Sequence, residues 1–167
     1  MRYDPDKKHR QSVRLRDYDY SQKGAYFVTI CVQGRQPLFG SVVDGEICLA
    51  ANGLLAQSTW TGLTTRFPSV SLDAFVLMPN HLHGIVLLTP PQASGDKIPN
   101  LGEVIRAFKA VTTHNVRQSG QPDFAWQRNY YEHIVRDDND LLRIQQYIGN
   151  NPVAWADDEE NPNHHAA

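Results

Sequence analysis

The chain is predicted to fold as a single α+β domain, a mostly antiparallel sheet with helices packed on it. Three observations predict this class. Short runs rich in β-branched and aromatic residues come early and in hairpin-like pairs. Longer segments with apolar residues at helical spacing interrupt them. No internal repeat or extended linker divides the 167 residues, 41% of them hydrophobic, a length and composition that sustain one buried core.

Taken in order, "AYFVTICVQ" (Ala25 to Gln33) reads as a central strand. "GSVVDGEICLA" reads as a hairpin turning at Asp44-Gly45, where glycine accepts the positive φ of a two-residue turn. A helix follows with Asn52 as its cap and Leu54, Leu55, Trp60 and Leu63 along its stripe, until Pro68 forbids continuation. "VSLDAFVLMPNHLHGIVLL" supplies two strands broken at Pro79-Asn80, and Thr89 to Asn100 a surface loop. A second helix spans Leu101 to Gln118, burying Leu101, Val104, Ile105, Phe108 and Val111 and carrying Arg106, Lys109 and Arg117 on other faces. "FAWQRNYYEHIV" reads as a strand whose Trp126, Tyr130 and Tyr131 either fill the core, the reading that strand context favours, or stack on bases. "DDNDLLRIQQYIGNN" is a third helix, capped by Asp137 or Asp138 and stopped by Pro152.

The organisation is a basic arm over residues 1–24, a single main domain over 25–155 and a flexible acidic tail over 156–167. The net charge of −2 alone argues against a generic nucleic-acid binder, but Asp157, Asp158, Glu159 and Glu160 account for it. Without those four carboxylates the 16 basic side chains outnumber the acidic ones. Lys7, Lys8, Arg10, Arg14 and Arg16 crowd the opening segment, either as a solvated arm or as a phosphate-tracking one with Tyr18 and Tyr20 as stacking platforms. Cys31 and Cys48 lack CxxC spacing and read as reduced thiols. With no apolar run of membrane length and no secretory pattern, a cytoplasmic protein without membrane contact is expected.

The chemistry-bearing stretch is "MPNHLHGIV". On a strand, His81 and His83 point to one face, because side chains alternate with period two, and two neutral imidazoles there converge as they do around a divalent ion. Two ligands alone do not define a metal site. On the third helix Tyr147 and Asn151 stand four residues apart on the flank of the apolar stripe of Leu141, Ile144 and Ile148. Asn151 precedes Pro152, which disfavours helical geometry at that residue.

"MPNHLHGIV", "WQRNYYEHIVRD" and "YIGNNPVAW", in that order and at these separations, resemble the single-tyrosine transposases of the HUH superfamily, and among them the REP-associated tyrosine transposases. "VRLRDYDYSQKGAYFVTICVQGRQPLFG" and "DDEENP" extend the resemblance over nearly the whole chain. It implies a ferredoxin-like or RRM-like HUH nuclease fold, with His81 and His83 as metal ligands, Tyr147 as nucleophile and Asn151 where relatives place a Gln as third ligand. It further implies cleavage of single-stranded DNA beside hairpins, REP-like or at element ends, through a 5′-phosphotyrosine link. Mg²⁺ or Mn²⁺ fits the mixed nitrogen and oxygen ligands. A phenol of ordinary pKa near 10 needs such help to attack phosphorus. The retained phosphodiester energy explains why no GxxxxGK[ST] loop is needed. Arg106, Lys109 and the basic arm are candidates for hairpin phosphates, and Glu132 and His133 for a place near the DNA. The expected state is a monomer, with a homodimer as the alternative.

Two other classes stay open. A domesticated descendant would grip hairpins without cutting them. A metal-dependent hydrolase of a non-nucleic substrate, using water as nucleophile, would need an acidic group beside the His pair, and in sequence the nearest, Asp73, sits at the far end of the preceding strand.

Overall fold

Strand β1 (Gly24–Cys31) forms because alternating apolar residues on both its faces find a layer to bury against. The computed structural model describes residues 23–90, 95 and 98–164. β1 is followed by the hairpin β2 (Gly40–Val43) and β3 (Glu46–Leu49), whose turn places Asp44 and Gly45 at φ 52° and 77°. Helices α1 (Ala51–Thr61) and α2 (Leu63–Arg66) come next, then β4 (Val70–Leu77) and β5 (His81–Leu88). Helix α3 (Leu101–Gln118), strand β6 (Tyr131–Ile134) and helix α4 (Asp138–Asn150) complete the order.

The main sheet runs β4-β5-β1-β6 with every neighbouring pair antiparallel, as the predicted class requires. One face buries Tyr26, Val28, Ile30, Leu82 and Val86 against α1 and α3, through Ala56, Trp60, Val104, Ile105 and Phe108. The opposite face buries Phe27 and Ile85 against Ile144 and Ile148 of α4. Between Leu72 and Phe75 the β4–β5 register shifts, so Leu72 before the shift and Phe75 after it both face the α1 and α3 layer. Gly84 is required in the middle of β5. A Cβ there would stand 2.5 Å from Trp60 Cζ2, so the indole lies directly on the strand.

Four local expectations are corrected. Helix α1 starts one residue after Ala50, which makes no side-chain cap, and Asn52 instead accepts a hydrogen bond from Ser119 Oγ at 2.8 Å. Its buried stripe is Gly53, Ala56 and Trp60 rather than Leu54, which is exposed, because the hairpin leaves room only for small residues there. In α3, Thr112 takes the buried place expected for Val111. The long strand expected over "FAWQRNYYEHIV" is only β6, preceded by a single bridge from Trp126 to Val32.

Helix ends follow their capping chemistry. Asn100 and Glu103 form a reciprocal capping box at α3. Asp137 accepts from the Asp140 N–H at the start of α4. Among the described residues no helix is long and apolar enough to cross a membrane.

Candidate metal and phosphoryl-transfer site

The turn Met78–His81 joins β4 to β5, closed by the Met78 N–H donating to the His81 carbonyl at 2.8 Å. It is not a surface tip. Val32 and Phe39 donate their N–H groups to the carbonyls of Asn80 and Pro79, and Asn80, His81 and His83 are all buried. His81 lies opposite Cys31 and His83 opposite Thr29, so both imidazoles stand on the face that α4 covers.

Second partners orient both rings. The Asn80 side-chain amide donates to the carbonyls of Arg35 and Glu160, at 2.9 and 2.6 Å. Its oxygen is thereby turned to His81 Nδ1, 2.8 Å away. Nδ1 must therefore carry the proton, which leaves the Nε2 lone pair of His81 facing inward. His83 Nδ1 is 2.7 Å from the Thr29 hydroxyl, whose oxygen can accept a hydrogen bond from it in the same way. The two Nε2 atoms stand 3.1 Å apart.

The acidic segment read as a flexible tail packs onto this pair instead. Arg35 binds it twice, through the Glu159 carbonyl at 3.1 Å and the Glu160 carboxylate at 3.1 Å. Asn80 holds the Glu160 carbonyl, and Glu160 and Asn161 are buried. These contacts bring Asp158 Oδ2 to 3.8 Å from His81 Nε2. Ligand atoms of His81, His83 and Asp158 lie within 4.8 Å of one another, a cluster suited to a divalent metal. Two nitrogens bound to one ion at ~2.1 Å are about 3.0 Å apart at an octahedral angle and about 3.4 Å at a tetrahedral one, so their observed spacing fits either geometry. Asp158 is the acidic group that sequence reasoning missed. The signal lay in the carboxylate run, but its destination depends on Arg35 and Asn80, which are distant in sequence.

Helix α4 supplies the oxygen groups. Tyr147 is 37% exposed, and its hydroxyl lies 3.5 Å from His83 Nε2, with its ring edge-on to Phe27. Asn151 keeps helical angles (φ −60°, ψ −42°) despite Pro152, because the helix runs on into the next turns, so its one-turn alignment with Tyr147 holds. Asn151 is buried, hydrogen-bonds the Tyr147 phenol, and leaves its Oδ1 without a hydrogen-bond donor. That oxygen is a further group a cation would satisfy.

Burial pushes the Tyr147 phenol up to about 12, the Asp158 and Glu160 carboxylates push the same way, and the hydrogen bond with Asn151 opposes them. The same negative charge that keeps the phenol protonated favours a cation beside it.

The remaining candidates lie elsewhere. Lys7, Lys8, Arg10, Arg14 and Arg16, with Tyr18 and Tyr20, lie outside the described residues. Arg106 and Lys109 line an open groove of about 510 Å³ between α3 and residues 125–130, together with Arg117, Arg128 and Tyr130. Lys109 is tied down there. Its amine donates to the carbonyls of Gln127, Arg128 and Asn129, and burial lowers it to about 8. His133 donates its Nε2 proton to Asp140 at 2.8 Å, at the start of α4. Asp73 accepts from Gln145, away from the histidines. Tyr131, for which the sequence favoured a core place over a stacking one, is 41% exposed because β6 is an edge strand.

No protein-family model matches the chain. A protein of Haemophilus influenzae, described only as uncharacterized, is 38% identical in an alignment 166 positions long that covers 90% of this chain and 92% of that one. A second Haemophilus influenzae protein, described as a "Putative REP-associated tyrosine transposase", is 25% identical over 141 residues, 81% of this chain and 73% of that one. The solved structure of a REP-associated tyrosine transposase bound to a REP hairpin superposes with a TM-score of 0.62, at 24% identity, over 86% of this chain and 73% of that chain. That superposition establishes a shared fold.

Proposed function

The chain belongs to one family with its uncharacterized Haemophilus influenzae relative, and we propose that it is a metal-dependent endonuclease and strand transferase acting on single-stranded DNA beside hairpins. The observation that carries this reading is the Tyr147 hydroxyl 3.5 Å from His83, with His81 and Asp158 completing a metal-competent cluster beneath it. The fold shared with a transposase that binds a REP hairpin supports the substrate class.

In the proposed reaction the Tyr147 oxygen attacks phosphorus, the new O–P bond replaces the bond to the 3′ oxygen, and the 3′-hydroxyl leaves with a proton. The phenol's own proton must be lost as the bond forms, since the site holds it firmly. Mg²⁺ or Mn²⁺ held by His81, His83 and Asp158 or Asn151 would supply Lewis-acid polarisation of the phosphate. Thr29 and Asn80 fix the imidazoles, and Phe27 supports the rings of both His83 and Tyr147. The reverse attack by a DNA 3′-hydroxyl rejoins strands without a nucleotide cofactor. The proposed state is a monomer, in which Tyr147 serves the histidines of its own chain. Arg106, the basic arm and the groove that contains Lys109 are the proposed phosphate contacts.

The test is incubation with end-labelled single-stranded DNA carrying hairpins from around the protein's own gene, with Mn²⁺ or Mg²⁺. A denaturation-resistant adduct absent in Tyr147→Phe and His81→Ala is the expected result. Hairpin binding without an adduct in the wild type would replace it with the non-catalytic binding reading. Asp158 also gives the water-using hydrolase the acidic group it lacked in sequence. Metal-dependent hydrolysis of a non-nucleic substrate that survives Tyr147→Phe, with no DNA adduct in the wild type, would identify that mechanism.

A further inference from the structure

The sheet face that carries the histidines continues past them to an open edge. Cross-strand partners put Val76, His83, Thr29 and Tyr131 in one row across β4, β5, β1 and β6. Partners in a row share a face, and strands are about 4.8 Å apart, so Tyr131 stands roughly 10 Å from His83. The rings connect across that gap. Phe27 stacks on His83 with centroids 5.6 Å apart and meets Tyr131 edge-on at 6.2 Å and Tyr147 edge-on at 6.0 Å. Phe27 is buried, whereas Tyr131 and Tyr147 both expose more than a third of their surface.

A cation accompanies the outer tyrosine. Arg143, on α4 one turn before Tyr147, is 55% exposed and is tied to β6 through Asp140, which also accepts from His133, two residues beyond Tyr131 on the same strand. One arm of its guanidinium binds Asp140, which fixes the side chain over this edge rather than leaving it to wander. An exposed aromatic ring with a fixed arginine beside it is the pairing that holds a nucleobase by its face and a neighbouring phosphate by its charge.

We infer that Tyr131 and Arg143 form a nucleotide subsite next to the proposed centre, in which a base of the single strand stacks on Tyr131 while Arg143 holds the adjoining phosphate. The inference rests on the single-stranded DNA reading above and adds the path of the strand. It leaves the scissile phosphate at His83 and Tyr147 and crosses the sheet towards the β6 edge. Stacking accepts any base, so this subsite positions the strand and leaves sequence choice to other contacts.

The experiment uses the whole protein with single-stranded oligonucleotides in which iododeoxyuridine replaces thymidine. Irradiation followed by digestion and mass spectrometry locates the crosslink, and fluorescence anisotropy measures binding of the same DNA. The expected result is an adduct on Tyr131, with affinity lost about tenfold in Tyr131→Ala, retained in Tyr131→Phe and reduced several-fold in Arg143→Ala. Unchanged Mn²⁺ affinity and unfolding temperature in these variants would exclude a merely structural loss. Wild-type binding with no Tyr131 crosslink and no effect of Tyr131→Ala overturns the subsite and leaves the proposed activity standing. Failure of the wild type to bind single-stranded DNA overturns both.

Discussion

Replacing Asn80 by alanine should damage the metal site without touching a ligand. The amide makes three hydrogen bonds, to His81 Nδ1, the Arg35 carbonyl and the Glu160 carbonyl. Asn80 is 1% exposed and His81 fully buried, so water replaces little of what is lost. At roughly 1 kcal/mol for each buried hydrogen bond, the variant should be about 3 kcal/mol less stable, or roughly 10 °C lower in Tm for a domain of this size. His81 would also lose the acceptor that fixes its tautomer, and Asp158 one tether of its segment. Loss of such an orienting partner typically costs ~10- to 100-fold in metal affinity. Calorimetric titration with Mn²⁺ well below the lowered Tm, beside a thermal melt, reads both effects. Asn80→Asp separates them, since it keeps an acceptor for His81 and loses the two amide donors. A melt lowered as expected with Mn²⁺ affinity unchanged in Asn80→Ala would refute the argument that Asn80 orients His81.

Asp158→Asn should weaken Mn²⁺ binding by about tenfold or more while leaving the sheet intact, because it removes the carboxylate nearest the histidines; equal affinity by titration would remove Asp158 from the site. Gly84→Ala should destabilise the fold by ~1–3 kcal/mol, measured by urea unfolding, since its methyl meets the buried Trp60 ring and neither the strand nor the indole has room to retreat. Burial pushes the Asp140 carboxyl up, but bonds from Arg143, His133 and the Arg136 N–H outweigh it and hold it down at about 2, below its usual range near 4. Its contribution is therefore present above about pH 4 and lost as the pH falls towards 2, so the stability gap between wild type and Asp140→Asn should close over that window in acid titrations. A gap that is constant with pH would show that Asp140 acts through its shape alone.

Local rules were enough for much of this structure. Asp44-Gly45 made the hairpin, Asn100 and Glu103 started α3 where the periodicity begins, and period two put His81 and His83 on one face. Failures came where a distant partner decides. Asn52 is a good cap by type, yet Ser119 competes for it from the end of α3. Tyr131 has strand chemistry but lies on an edge, and edge position is a property of the whole sheet. Pro152 argued against a helical Asn151, but a chain that goes on turning tolerates that geometry. Asp158 is the largest case, because composition marked its neighbourhood as solvated while Asn80 and Arg35 draw it inward.

The dependence on Arg35 and Asn80 also divides the candidate site between two parts of the chain. Every strand of the main sheet is complete by Ile134, so the sheet that carries the histidines does not include the acidic segment. Asp158 reaches them by closing a loop of long sequence separation, the slowest kind of contact to form. The candidate cluster is therefore complete only where the acidic segment has docked, and the sheet alone supplies its two nitrogens but not its carboxylate.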